Sequence, residues 1–402
     1  MLGERWDIEA TGAFRVVAAS LSHGQRFCNR LPLPDVAVSE YPALQVKQHR
    51  GSRSPEIAGL VYARLSRSRF WKRIIMSDAN RPPYWLGFDL GGTKMLAKVF
   101  DSDFREIGRE RKRTKGHGGV EDGLDRIKRT IQGALDDAKI QPGDLGGIGV
   151  GFPGPVDMER GIILEAVNLG WQNMPLRKVL KKEYGCGAVI ANDVDVGVYG
   201  EYRFGAGRGF RFVIGVFPGT GIGAGCVYEG KIFRGTYSSC MEIGHLQIDP
   251  HGHLCGCGHF GCLETEASRL AIAAEAAKAA YRGEAPHLRD QIGADLREIR
   301  SGMLAEAIAQ GDKVVEKIVR RAAEKIGVAV GNLVTTMCPD TIILGGGLVE
   351  AMPKIFVDVV HTMARKTAMS PYRDSFQVVV AELGDDAGAL GAAAWAAECL
   401  AK

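Results

Sequence analysis

The chain contains no run of about 18 apolar residues, so no membrane-spanning helix is expected. A secretory signal is missing too: the N-terminus reads MLGERWDIEATG, with acids early and no apolar core. These absences point to a cytoplasmic protein, where thiols normally stay reduced. Charge of one sign is lacking over most of the chain. Residues 1–75 hold 12 Lys/Arg and 6 Asp/Glu, whereas the remainder holds 39 and 41. The overall balance of +4 therefore belongs to the first segment, which argues against nucleic-acid binding by the folded body.

A length of 402 residues is ample for a large core and suggests two domains. At 46% hydrophobic and 24% charged, the composition is that of a globular protein. Residues 1–83 differ from the rest. RLPLPDVAVSEYP and HRGSRSP are turn-rich, SRSRFWKR is a basic run, and only 55–65 hints at a helix. We expect a disordered extension or sequence upstream of a true start at Met76, with a targeting or regulatory role as the alternative.

Order begins at Tyr84. YWLGFDL reads as a strand, GGT as a turn and MLAKVF as the returning strand. Leu124, Ile127, Ile131 and Leu135 follow at helical spacing. GGIGVGF and AVIAND read as buried strands. FVIGVF, a glycine turn and AGCVYEGKIF repeat the strand–turn–strand plan. A long amphipathic helix is expected over 313–336, then a short strand TIIL, a strand VVVAEL and a small-residue helix AGALGAAAWAAECL. Strands alternating with helices predict an α/β protein. The likeness of 87–101 to 216–230 predicts two halves built alike, facing each other across a cleft.

Both glycine turns suit phosphate. Glycine lets backbone amides approach a ligand closely, and successive N–H groups form an anion site. In DLGGTK, Gly91 and Gly92 supply amides, Thr93 a hydroxyl and Lys94 a cation, while Asp89 is set to hold Mg²⁺. In PGTGIGAG, Thr220, Gly221 and Gly223 are the counterparts. Neither stretch is a Walker A loop, and a dinucleotide fingerprint would open a helix, not a strand. A plain hairpin turn is the competing reading for either motif alone.

AVIANDVDVGVYGE puts Asn192 and Asp193 at the end of an apolar strand, where α/β proteins carry site residues. Asp193 can accept the proton of an attacking hydroxyl. The alternative for this pair is a helix N-cap.

LCGCGHFGCLE crowds three cysteines into eight positions. With His245 upstream they form the set His245, Cys255, Cys257 and Cys262, one imidazole and three thiols, which suits a closed tetrahedral Zn²⁺ site of structural type. A redox pair and chance are the competing readings. His251, His253 and His259 are spare candidates. Fixing such a shell would fix Glu242 and Glu264 on either side, and carboxylates, an Asn and an imidazole suit a polyhydroxylated ligand.

Taken in order, DLGGTK, GFPGPVD, NLGW, ND at 192–193, PGTGIGAG, EIGH, CGCGHFGCLE, PDTIILGGG and LGDDAGALGAA resemble the ROK family (repressors, open reading frames and kinases), specifically its glucokinase-like sugar kinases. The resemblance runs from about 85 to 398. It implies a two-domain actin-like (ribonuclease H-like) fold with an interdomain cleft and a zinc knuckle, divided into 84–198 plus 386–402 and 199–385. It implies ATP and Mg²⁺ as well as Zn²⁺, and a homodimer or homotetramer. Asp193 is similar to the family's catalytic base, activating the 6-hydroxyl of a hexose. Asn192, Glu242, His245 and Glu264 look like sugar ligands, and Gly345, Gly346 and Gly347 resemble the segment beside the adenosine.

The sequence departs from the family pattern at Asp195, where Asn is frequent, and at Ala224, where glycine is. The short NLGW motif favours glucose over N-acetylglucosamine and N-acetylmannosamine; mannose and fructose are further alternatives, and polyphosphate is an alternative donor. A sugar-responsive transcriptional regulator or a non-catalytic sugar sensor is the rival function. Residues 1–83 have no clear helix-turn-helix, and Pro32, Pro34, Pro42 and Pro55 interrupt them.

Overall fold

The computed structural model describes residues 5–10, 14–19, 46–48, 84–91, 94–114, 119–166, 170–236, 240–292 and 298–401. Residues 1–76 and 77–402 are two separate units. In the first, strands β1 (Arg5–Ala10), β2 (Phe14–Ala19) and β3 (Val46–Gln48) pair antiparallel in the order β2-β1-β3. The helix expected over 55–65 lies outside the described residues.

The second unit opens with β4 (Tyr84–Leu90), β5 (Lys94–Asp101) and β6 (Glu106–Arg113), then α1 (Gly119–Ala138) and β7 (Leu145–Phe152). A small antiparallel sheet follows, made of β8 (Val156–Asp157), β9 (Ile162–Ala166) and β10 (Trp171–Met174). The chain continues through α2 (Leu176–Tyr184), β11 (Gly187–Asn192) and α3 (Asp193–Phe204). Next come β12 (Phe212–Pro218), β13 (Ile222–Tyr228) and β14 (Lys231–Ile232). Five helices follow: α4 (Leu263–Ala267), α5 (Arg269–Tyr281), α6 (Pro286–Ile292), α7 (Ser301–Ala309) and α8 (Lys313–Met337). The unit closes with β15 (Thr341–Leu344), α9 (Gly347–Ala351), α10 (Pro353–Thr367), β16 (Gln377–Val380) and α11 (Ala387–Leu400).

Two five-stranded sheets share one plan. The first has the order β11-β7-β4-β5-β6 and the second β14-β13-β12-β15-β16. In each, three successive strands form an antiparallel meander and two later strands add in parallel beside the first of them. Both expected strand–turn–strand stretches are hairpins, β4–β5 and β12–β13. The long helix expected over 313–336 is α8, and the small-residue helix is α11.

Side-chain alternation builds two cores. In the second sheet Val213, Val227 and Ile343 join the core that contains the first sheet. Their neighbours Ile214, Cys226, Ile342 and Leu344 face a core formed with the helices of the second half. The period of two along each strand thus lets one sheet serve both. Helices α3 and α11 lie between the sheets, with α11 packed on β4 and β7 and α3 on β13. Their crossing needs small residues: a Cβ at Gly391 would lie 1.8 Å from the carbonyl oxygen of Val196.

Candidate active site

The strands β4, β7 and β11 run parallel, and their carboxyl ends bring Asp89, the loop after Phe152 and Asn192–Asp193 together. Asn192 caps α3. Its Oδ1 accepts the N–H of Val194 at 2.9 Å and of Asp195 at 3.3 Å, and its Nδ2 donates to the Gly154 carbonyl at 3.3 Å. The N-cap alternative for this pair is therefore real for Asn192. It also gives Asp193 a fixed place at the first position of the helix, where its Oδ1 accepts the Val194 N–H at 3.0 Å.

Burial pushes the Asp193 carboxyl up to about 6; backbone amides oppose the shift and the Glu242 carboxylate adds to it. Asp89 is pushed to about 7 by burial, then by the charge of Asp193, against Lys94 and with a further push from Asp385. Two buried carboxyls this close, the charge of one raising the other, are a donor set suited to a divalent cation. Asp89 also lies against the first turn of α11, since a Cβ at Gly388 would come within 2.7 Å of its carboxylate carbon.

The first glycine turn is closed by the Gly91 N–H donating to the Lys94 carbonyl at 2.8 Å, and the Thr114 hydroxyl donates to the Gly91 carbonyl at 2.9 Å. Gly92 and Thr93 lie outside the described residues. Lys94, expected on phosphate, is ion-paired with Asp385 and holds that carboxyl below the usual range. Lys98, 1% exposed, pairs with Glu106 and with Asp386 at 2.6 Å, so β5 grips the start of α11 through two lysines.

In the second turn the Gly219 N–H donates to the Gly221 carbonyl at 2.8 Å. Ile222 N–H donates to Glu264 Oε2 at 3.0 Å. The Arg269 guanidinium donates to the Thr220 hydroxyl at 3.0 Å. This hairpin abuts the candidate base: a Cβ at Gly223 would lie 2.7 Å from the Val194 side chain. Gly346, at φ +80°, begins α9 next to Gly347.

The cysteine stretch forms a cluster. The ligand atoms of His245, Cys255, Cys257 and Cys262 all lie within 4.8 Å of one another. His245 Nδ1 is 3.6 Å from Cys255 Sγ, and Cys257 Sγ is 3.6 Å from Cys262 Sγ. Tetrahedral zinc with Zn–S of about 2.3 Å puts ligand atoms roughly 3.4–3.8 Å apart, so the set fits. The His259 backbone N–H, followed by its ring, lowers the Cys257 thiol, whereas burial and the neighbouring cysteines raise that of Cys262. Of the spare histidines, His253 is engaged elsewhere: its backbone N–H and Nδ1 both meet Glu266, at 2.9 and 2.8 Å. Glu266 also accepts from Lys325 of α8. Burial works against ionisation of Glu266, yet these donors draw it down to about 2.

Sequence reasoning missed Arg269, Asp385 and Glu266. Asp385 sits inside the quoted LGDDAG motif, but its partner is almost three hundred residues away. Arg269 and Glu266 follow the cysteine cluster in LETEASRL, where nothing in the spacing distinguishes them from surface charges.

Known proteins resemble this chain over most of its length. A glucokinase of Thermotoga maritima is 32% identical over 309 residues, 77% of this chain and 95% of that protein. The crystal structure of a ROK family glucokinase from Streptomyces griseus in complex with glucose and AMPPNP is 32% identical, covering 78% of this chain and 99% of that one, with a TM-score of 0.69. A xylose repressor of Caldicellulosiruptor bescii is 30% identical over 261 residues, 65% of each protein. The ROK family pattern itself matches residues 85–399, and the chain belongs to the ROK family.

Proposed function

We propose that the protein is an ATP-dependent sugar kinase that phosphorylates the 6-hydroxyl of a hexose, with glucose as the substrate. Asp193 carries this reading: a carboxylate fixed at a helix start, raised by burial to about 6, beside Asp89 and a glycine hairpin. A base tuned toward working pH can take a hydroxyl proton, a contribution of about 10²–10⁴-fold in rate. Glucose and AMPPNP bound to the Streptomyces griseus relative support both substrates.

In the reaction, O6 of the sugar bonds to the γ-phosphorus while its proton passes to Asp193. The bond from phosphorus to the β–γ bridging oxygen breaks, and ADP leaves with that electron pair. Asn192, Glu242, His245 and Glu264 orient the sugar hydroxyls. The backbone turns at Gly91, Gly92 and Thr93 and at Thr220, Gly221 and Gly223 cradle phosphates, Lys94 being held by Asp385, and Gly346 and Gly347 stand beside the adenosine. Mg²⁺ would be held by Asp89 and would neutralise phosphate charge. Zn²⁺ would be held by His245, Cys255, Cys257 and Cys262 and would stiffen the loop that carries Glu242 and Glu264. Nδ1 of His245 faces Cys255 Sγ at 3.6 Å, which would leave its Nε2 as an N–H donor for a sugar oxygen.

We further propose an actin-like arrangement in which the two sheets belong to two lobes, 84–198 plus 386–402 and 199–385. The repeated strand order supports this division. Closure of the lobes over the sugar would exclude water from the phosphoryl group. The test is ADP release with ATP and Mg²⁺ across glucose, mannose, fructose, N-acetylglucosamine and N-acetylmannosamine. A single strong response to glucose is expected. Silence across the panel, with sequence-specific retention on DNA, would favour the regulator that the xylose repressor match raises.

A further inference from the structure

We infer that Arg269 is a ligand of the nucleotide's di- or triphosphate, supplying the positive charge that the first glycine turn keeps for its own carboxylates. This rests on the sugar-kinase reading above.

A nucleoside triphosphate is a polyanion, and a site that holds it needs cations besides amides. In the first turn the obvious cation is Lys94, but its charge is answered by Asp385, with Arg111 3.8 Å from the other oxygen of that carboxylate. Asp89 and Asp193 lie in the same electrostatic neighbourhood. Among the described residues that side of the site is carboxylate-rich.

The second turn is built differently. Arg269 opens α5, and its backbone N–H donates to the Gly219 carbonyl at 2.9 Å. Its side chain folds back, with Nη2 donating to the Thr220 hydroxyl at 3.0 Å and Nη1 to the Ile299 carbonyl at 3.4 Å. Both partners are neutral, and Arg269 makes no ion pair with a carboxylate among the described residues. The guanidinium carries five N–H donors, so it retains donors for a further acceptor. It is half-buried, while the Thr220 it holds is exposed at the turn.

Position decides what that acceptor is. Ile299 leads into Ser301, whose hydroxyl lies 3.5 Å from where a Cβ at Gly347 would be. Arg269 therefore stands between the Thr220 turn and the glycine segment assigned to the adenosine. A nucleotide that reached from one to the other would pass its phosphates beside the guanidinium. Arginine suits that task because its planar fork matches two phosphate oxygens at once.

The full chain is tested as wild type, Arg269→Ala and Arg269→Lys, with competition by ATP, ADP and adenosine against a fluorescent ADP analogue in the presence of Mg²⁺, and with glucose titrated separately. Losing a charge-assisted pair is expected to weaken ATP and ADP by about ten- to a hundred-fold in Arg269→Ala. Adenosine and glucose should change by less than about threefold, and Arg269→Lys should recover part of the loss. If Arg269→Ala binds ADP like wild type, the inference is overturned and the kinase reading stands. If adenosine and ADP weaken equally and Tm falls with them, Arg269 merely props the turn, and the inference is again overturned. If wild type itself binds neither ATP nor ADP and transfers no phosphate, the kinase reading falls and takes this one with it.

Discussion

Glu264 accepts the backbone N–H of Ile222 at 3.0 Å, bonding the helix after the cysteine cluster to the glycine turn of β12–β13. The residue proposed to read a sugar hydroxyl is thus also a strut of the turn proposed to cradle phosphate. Sugar and nucleotide sites then share one carboxylate, and damage there should be felt at both.

Glu264→Ala should accordingly raise the KM for sugar and the Kd for ATP together. Removing the acceptor leaves the Ile222 N–H unpaired, a cost of roughly 1–3 kcal/mol. Glu264→Gln keeps an oxygen for that amide, so nucleotide affinity should survive while sugar KM still rises. Steady-state kinetics and ATP titration of the two variants separate the roles. An alanine variant that loses sugar affinity alone would show that the strut is idle.

Asp193 should set the acid limb of the pH profile. A general base works only when ionised, and burial raises this carboxyl to about 6. The value of kcat/KM for sugar should fall below about pH 6, and Asp193→Asn should lose about 10²–10⁴-fold above that pH, the deficit shrinking below it. The same shift has a stability counterpart. Asp89 and Asp193 both titrate higher in the fold than the 3.8 of an ordinary aspartate, so the folded protein holds their protons more tightly. Their contribution makes the ligand-free protein less stable as pH rises from about 4 to about 7. Bound Mg²⁺ and nucleotide should flatten that slope, because a cation favours both ionised forms. A flat Tm over this range in the Asp89→Asn, Asp193→Asn double variant, beside a slope in wild type, is the expected pattern.

Much of this was legible in the sequence, for a physical reason. Apolar runs broken by glycine mark strands and turns locally, so β4–β5, β12–β13, α8 and α11 were all foreseen. The four residues of the His/Cys cluster were legible because cysteines are rare elsewhere and the cluster is local apart from His245. What escaped depends on distant partners. Lys94 looked free for phosphate until Asp385 appeared beside it, and Arg269 looked like any surface cation until it was found bent over Thr220. The departure at Asp195 is a fully buried side chain in the first turn of α3, whose backbone N–H donates to the Asn192 cap; sequence alone could flag the residue but not its burial.

Metal removal should act through the sugar pocket. The protein as purified is expected to contain zinc by elemental analysis, and a strong chelator should lower Tm and raise sugar KM by about tenfold or more. Zn²⁺ should restore both, and Mg²⁺ should restore neither. His245→Ala should lose metal and sugar affinity together, whereas Cys255→Ala should chiefly destabilise the loop. Full zinc and unaltered kinetics in either variant would refute the shell.

Glu201 should govern how the two sheets move against each other. The chain crosses between them twice, once through α3 and once through the segment from β16 to α11. Glu201, fully buried near the end of α3, accepts the N–H of Ala206 at 2.9 Å, of Glu382 at 3.1 Å and of Leu383 at 2.7 Å. One carboxylate therefore clasps both crossings, and the proposed closure of the lobes should pivot about it. Glu201→Gln keeps the volume but turns an amide toward N–H donors, breaking at least one bond of a kind worth roughly 1.5–3 kcal/mol. The variant should melt earlier, and its change in radius of gyration on adding glucose should differ from that of wild type. Its kcat should fall more than its affinity for ATP, because closure rather than the nucleotide site is disturbed. Wild-type melting together with wild-type compaction would mean that the clasp contributes nothing and that the pivot lies elsewhere.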